Sequence, residues 1–205
     1  MNRMVAAAVC LILFASCAST PHRTKRELTP ASDPVLASEL SAMLKEDQEL
    51  RERWVRDAKN EAIREEVRAL SKRHIARLEQ ILAVHGWPKI TLVGFNGMSA
   101  MWTIAQHGGK EFLGRVLPLM YEAVRSGDLD ASLYALSFDR VLIQQGKNQL
   151  YGSQFDIDAA SGKCLPKPID DPQHVDERRR RAGMEPLADY TKELCEAYLQ
   201  PQVQK

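Results

Sequence analysis

The chain has 205 residues, 44% of them hydrophobic and 27% charged, with 28 Lys and Arg against 27 Asp and Glu. That balance excludes disorder over the whole length and a binder of nucleic acid driven mainly by charge. Aromatic residues make up only 6%, but Leu, Ile, Val, Ala and Met suffice for a helical core, and the length suits one domain.

The first segment reads as a targeting signal. Arg3 gives a positive start and an apolar run extends from Val5 to Phe14, far short of the roughly 20 apolar residues of a membrane-spanning helix. Small residues, Ala15 and Ser16, then precede Cys17, which completes a secretory pattern over residues 1–16. Phe14-Ala15-Ser16-Cys17 resembles a bacterial lipobox. The resemblance implies cleavage before Cys17, lipidation of its thiol and anchorage by several acyl chains. Ala18 in place of Asp is similar to the outer-membrane sorting pattern, so in a Gram-negative host the domain would face the periplasm. The alternative is an ordinary cleaved signal with Cys17 incidental. Loss of Arg3 leaves no net formal charge, so beyond the lipid the domain has no electrostatic reason to bind an anionic membrane.

Of four cysteines, Cys10 leaves with the signal and Cys17 takes lipid. Cys164 and Cys195 remain as an even pair, which in an oxidising compartment predicts a disulfide; two free thiols are the alternative.

Residues 17–33, with Pro21 and Pro30, read as the lipidated cysteine and a flexible tether. Asp33 then caps a helix opened by Pro34. This first helix runs to about Ala58 on a stripe of Leu36, Leu40, Met43, Leu50 and Trp54. Asp47 falls in that stripe where Leu would be expected, with Arg51 one turn on and able to reach it. A second helix, about Glu61 to Val84, carries Ile63, Val67, Leu70, Leu78 and Ile81, with His74 filling the gap; Gly86-Trp87-Pro88 ends it. Lys89–Asn96 reads as a loop or short strand, and Met98–Gln106 as a short, almost wholly apolar, buried helix. Gln106-His107-Gly108-Gly109 stops it. A fourth helix spans about Lys110 to Ser126, with Pro118 expected to kink it. A fifth spans about Asp130 to Gln145 with Asp139 and Arg140 inside. The period changes to two over Gln149–Asp158, and Lys163–Leu165 reads as the returning strand of a hairpin. Asp171-Pro172 caps a helix to Ala182, and Pro186 opens the last, with Leu187, Tyr190, Leu194 and Tyr198 as its stripe. The expected fold is mainly α: a compact bundle of about seven helices with one small β-hairpin, forming a single helical domain over 34–200.

No phosphate-binding loop, His-Glu-x-x-His, Gly-x-Ser-x-Gly or Cys-x-x-Cys pair is present. The periodicity instead buries polar residues: Asp47, His74, Gln106, His107, Asp139 and Arg140. Buried charges must meet each other or a ligand. Trp102-x-x-x-Gln106-His107, Asp139-Arg140-Val141 and Gln149-x-Tyr151-Gly152-Ser153-Gln154, over about residues 40–190, resemble a bacterial domain family of unknown function. That family pairs Q-H-A-D with D-R-V and Q-x-Y-G-T-Q. Asp47-Gln48-x-x-Arg51, Gly86-Trp87-Pro88, Pro168-Ile169-Asp170-Asp171 and Arg178-Arg179 are similar to family positions too. The resemblance implies no activity, and here Gly109 replaces the family's acid.

The functional reading is a polar pocket for a small polar ligand or an envelope protein partner. Asp47, Arg51, Gln106, Arg140, Gln149, Tyr151 and Gln154 would bind. A catalytic alternative has His107 as general base in a hydrolytic enzyme, oriented by Asp139 or Asp47. The structural alternative is that these groups only satisfy one another. No ligand spacing supports a metal, no cofactor is implied, and the Arg178–Arg181 run beside acidic residues reads as a solvated face rather than a nucleic-acid site.

Overall fold

The computed structural model describes residues 30–158 and 161–199. The signal segment, Cys17 and most of the tether lie outside them. Among the described residues are seven α-helices and one two-stranded antiparallel sheet, the mainly α fold that the periodicity predicts. No described helix is long and apolar enough to cross a membrane. The described chain divides into two compact units, residues 30–129 and 130–199.

The first unit holds α1 (Pro34–Arg56), α2 (Glu61–His85), α3 (Ile90–Gln106) and α4 (Gly109–Ser126). Asp33 caps α1 through Oδ1 to the Leu36 N–H at 2.9 Å, and Asn60 caps α2 through the Ile63 N–H. The α1 stripe of Leu36, Leu40 and Met43 is buried, as are Val67, Leu70, Leu78 and Ile81 on α2. α1 packs against α2 and α3, and every residue of α3 from Gly97 to Gln106 is buried.

Helix α3 starts earlier than its sequence suggests. Ile90–Val93 form a helical turn, and Gly94 then adopts φ 69°, ψ 175° and breaks it before the helix resumes. Only glycine takes that conformation without strain. The turn is secured from elsewhere in the chain: Asp128 Oδ1 accepts the Ile90 N–H, and the Ser32 and Asp33 N–H groups donate to Thr91 and Leu92 carbonyls. Pro118 sits inside α4, which continues as one helix from Gly109 to Ser126. Pro118 is exposed, so the carbonyl it leaves unpaired four residues earlier faces the solvent side, where water can satisfy it.

The second unit holds α5 (Ala131–Gln144), β1 (Phe155–Asp158), β2 (Lys163–Pro166), a 3-10 turn (Pro172–His174), α6 (Val175–Arg181) and α7 (Leu187–Leu199). The hairpin register pairs Phe155 with Pro166 and Asp158 with Lys163. It is shorter than the alternation predicts. Residues 149–154 are not strand; Gln149 makes one isolated parallel bridge to Ile169, and the rest curls around Asp139. Asp171 does not cap the following helix: it adopts φ 46°, ψ 66°, and its side chain makes no cap bond. The expected disulfide is present between Cys164 on β2 and Cys195 on α7.

Candidate functional site

In the first unit, Asp47 is buried at its seam position on α1. Arg51, one turn on, places Nε 3.0 Å from both carboxylate oxygens and donates from Nη2 to Ser71 Oγ of α2 at 3.3 Å. His107, the residue that ends α3, brings Nδ1 to 2.7 Å from Asp47 Oδ2, with its ring 6% exposed. Gln48 Nε2 donates to the same oxygen at 3.3 Å. Burial pushes the Asp47 carboxyl up, but hydrogen bonds and charge from His107 and then Arg51 outweigh it and hold the group below the ordinary carboxylate value. Gln106 is buried beside this cluster in sequence.

These contacts join α1, α2 and the end of α3 around one carboxylate. An Asp that holds Nδ1 of a histidine fixes the ring's orientation and leaves Nε2 as its other proton-exchanging atom. Asp47 supplies a carboxylate to the His107 ring from 60 residues earlier in the chain.

His74 is buried on α2, with Nε2 3.1 Å from Glu46 Oε2. Among the described residues its Nδ1 has no hydrogen-bond partner. Glu46 also pairs with Arg73. Burial pushes Glu46 up, and Arg73 and His74 together draw it below its ordinary value. Two clefts open on this unit, of about 350 and 320 Å³. One lies at Ala37, Ser38, Gly94 and Asn96, the other at Val35, Arg77 and Val84; neither is lined by Asp47, Arg51 or His107. At the α3–α4 junction Gly109 is exposed and Gly108 half-buried, while both ring nitrogens of His107 are themselves buried.

In the second unit Asp139 is 0% exposed on α5. Its Oδ1 accepts the Leu150 N–H at 2.8 Å and the Tyr151 N–H at 3.1 Å, and its Oδ2 accepts the Ser153 N–H at 3.0 Å. Gln149 is equally buried: Nε2 donates to the Gln154 and Lys167 carbonyls, both at 2.9 Å, and Oε1 accepts the Gln154 N–H at 2.7 Å. Gln154 donates from its side chain to Ser153 Oγ. Burial and then the Asp139 charge push the Tyr151 hydroxyl up, against an opposing pull from Arg178. Arg140 is half-buried on α5.

Among the expected site residues, then, Asp47, Arg51 and His107 meet in one cluster, and Asp139, Gln149, Tyr151 and Gln154 meet in another. Two arginines depart from the expected solvated face. Arg178 donates from Nε to the Leu150 carbonyl at 2.8 Å and from Nη2 to the Asp170 and Asp171 carbonyls. Arg179 is 0% exposed and donates to the Glu185 and Tyr151 carbonyls. Apart from a 3.4 Å contact between Arg178 Nη1 and Asp171 Oδ2, their partners are backbone carbonyls of loops, which no reading of charged neighbours reveals. The available signal is that Arg178 and Arg179 lie one turn after Val175, an apolar residue buried on α6.

No curated protein and no solved structure matches the chain. Residues 34–202 match a family of unknown function, DUF6624, and the chain belongs to that family.

Proposed function

We propose that this is a lipid-anchored cell-envelope protein whose helical domain binds a small polar ligand or an envelope partner at the Asp47–Arg51–His107 cluster. One observation carries the reading: a carboxylate kept anionic in the interior, held by Arg51 and directed at a histidine ring. Burying such groups costs several kcal/mol per ion unless they are paired. An apolar seam at position 47 would hold α1 against its neighbours at less cost. The cluster offers hydrogen-bond donors and an ionisable ring to a ligand with hydroxyl, amide or carboxylate groups. The lipobox-like Phe14–Cys17 supports the anchor, and the Cys164–Cys195 disulfide suits the oxidising envelope.

The 2.7 Å contact between Asp47 and His107 favours hydrolysis with His107 as general base as the second reading. Thermal melting of the full chain against small carboxylates, phosphates, sugars and amides tests the first. A bound ligand raises the melting temperature with concentration, and His107→Ala abolishes the rise. Turnover of an ester or amide probe, lost in His107→Ala, selects the second. Neither effect, with a large loss of stability in both Asp47→Asn and His107→Ala, makes the cluster a structural staple. Fatty-acid label on Cys17, absent in Cys17→Ser, tests the anchor; a label-free wild type removes it.

A further inference from the structure

The second unit contains a buried guanidinium whose surroundings do not fully account for it. Arg179 is 0% exposed. Its Nε donates to the Glu185 carbonyl at 2.6 Å and its Nη1 to the Tyr151 carbonyl at 2.7 Å. Among the described residues Nη2 has no hydrogen-bond partner, and no carboxylate lies within ion-pair distance of the group. Burial holds the guanidinium below its ordinary value. The charges of Glu185, Asp176 and Asp139 only partly offset that burial, and a buried cation with an unused donor and no ion-paired carboxylate is costly. Its fork of donors matches a carboxylate or phosphate oxyanion.

What covers it is α7. The Tyr190 ring lies 4.8 Å from Arg179 Cζ and meets Phe155 edge-on at 5.9 Å. Leu187 sits directly on Gly152: a Cβ there would stand 2.7 Å from Leu187 Cδ1. Yet none of the residues of α7 is itself buried. A helix of this length has little stability of its own in water, and its apolar grip is shallow. Two further ties hold it. At its start the Leu187 N–H donates to Asp176 Oδ1 at 2.7 Å. Near its end Cys195 is bonded to Cys164 on β2. Both cysteines are half-buried rather than enclosed, so a reductant can reach the bond.

We propose that α7 is a disulfide-latched cover over an oxyanion site at Arg179. A dithiol reductant attacks the Cys164–Cys195 bond and becomes a cyclic disulfide. Two electrons and two protons pass to the protein sulfurs, which leave as two thiols. Helix α7 then swings away with Tyr190, and the guanidinium edge is open to a phosphate or carboxylate group.

Hydrogen exchange read by mass spectrometry on the full chain, with and without dithiothreitol, tests this. Amides of Leu187–Leu199 are expected to exchange at least about tenfold faster after reduction (a change of about 1.4 kcal/mol in opening free energy), while Ala131–Gln144 keeps its protection. Inorganic phosphate should then slow exchange at Tyr151–Ser153 and Arg178–Arg181 in the reduced protein alone, and acetate in its place tells whether the site favours phosphate over carboxylate. Cys164→Ser with Cys195→Ser should reproduce the reduced behaviour without reductant and leaves Arg179 in place. Arg179→Lys in that background should remove the anion effect. Unchanged exchange over Leu187–Leu199, loss of protection throughout 131–199, or release of α7 with no response to either anion would each overturn the proposal.

Discussion

Replacing Asp139 by Asn keeps the size and shape of the side chain and changes only its charge and donor pattern. In the wild type three backbone N–H groups, from Leu150, Tyr151 and Ser153, converge on the two carboxylate oxygens at 2.8, 3.1 and 3.0 Å. The amide oxygen can still accept from Leu150 and Tyr151, but the new NH2 faces the Ser153 N–H, donor against donor. Bonds to a charged acceptor contribute about 1.5–3 kcal/mol and neutral ones about 0.5–1.5, so the two retained bonds lose roughly 1 kcal/mol each. A stranded buried donor adds about 1–3 kcal/mol. The expected loss is about 3–5 kcal/mol. Trp54, Trp87 and Trp102 all lie in residues 30–129, so tryptophan fluorescence reports the first unit. Hydrogen exchange at Leu150–Ser153 and along Ala131–Gln144 reports the second. Exchange there should rise by two orders of magnitude or more, whereas a loss under about 1 kcal/mol would refute the assignment of this carboxylate as the organiser of the loop.

Other outcomes follow from the same structure. Gly108→Ala places a Cβ 2.4 Å from Ile75 Cδ1 and 2.6 Å from Phe112 Cδ1; φ there is −74°, so the expected loss of about 1–3 kcal/mol is steric. Ile75→Ala should recover part of it in a double-mutant cycle, and strict additivity would contradict the assigned clash. Because the folded Asp47 carboxyl is held below its unfolded value, its contribution is present above the unfolded value near pH 4 and is lost as pH falls through the depressed one. Asp47→Asn should therefore flatten the acid limb of the urea midpoint against pH, and an unchanged limb would count against the pairing. His174 shifts the opposite way: Asp171, through a hydrogen bond and then charge, raises it above its ordinary 6.5. Its contribution is full below that ordinary value and is lost as pH rises through the raised one. Proton NMR titration should find His174 titrating higher than in Asp171→Asn, and equal titration in both would exclude the contact in solution.

The helices were legible because their apolar residues recur in stripes: Leu36, Leu40 and Met43 behind the Asp33 cap need no distant partner to be read. The cysteine pair was legible by counting. Less visible were features whose partners are backbone groups or lie far along the chain. The turn Ile90–Val93 depends on Asp128 and on the Ser32 and Asp33 N–H groups, none of which marks residues 90–93 as helical. Residues 149–154 look like strand because Tyr151 and Ser153 continue the period of two set by Phe155 and Ile157. In the fold those residues curl so that their backbone donors reach a single carboxylate. Asp47 could be recognised as misplaced in its stripe and Arg51 as within reach. Its pairing with His107 crosses 60 positions and two intervening helices, and only the packing of α1 against α3 brings it about.

The central claim is that Asp47, Arg51 and His107 form a ligand site. Its most direct test is amide NMR of the isotope-labelled full chain titrated with acetate, inorganic phosphate, glucose and acetamide as probes. The account predicts saturable shifts from at least one probe, concentrated at residues 47–51, 71 and 106–109 and absent in a folded His107→Ala variant. Shifts confined to other regions, or the same shifts in His107→Ala, would contradict it, as would no response to any probe.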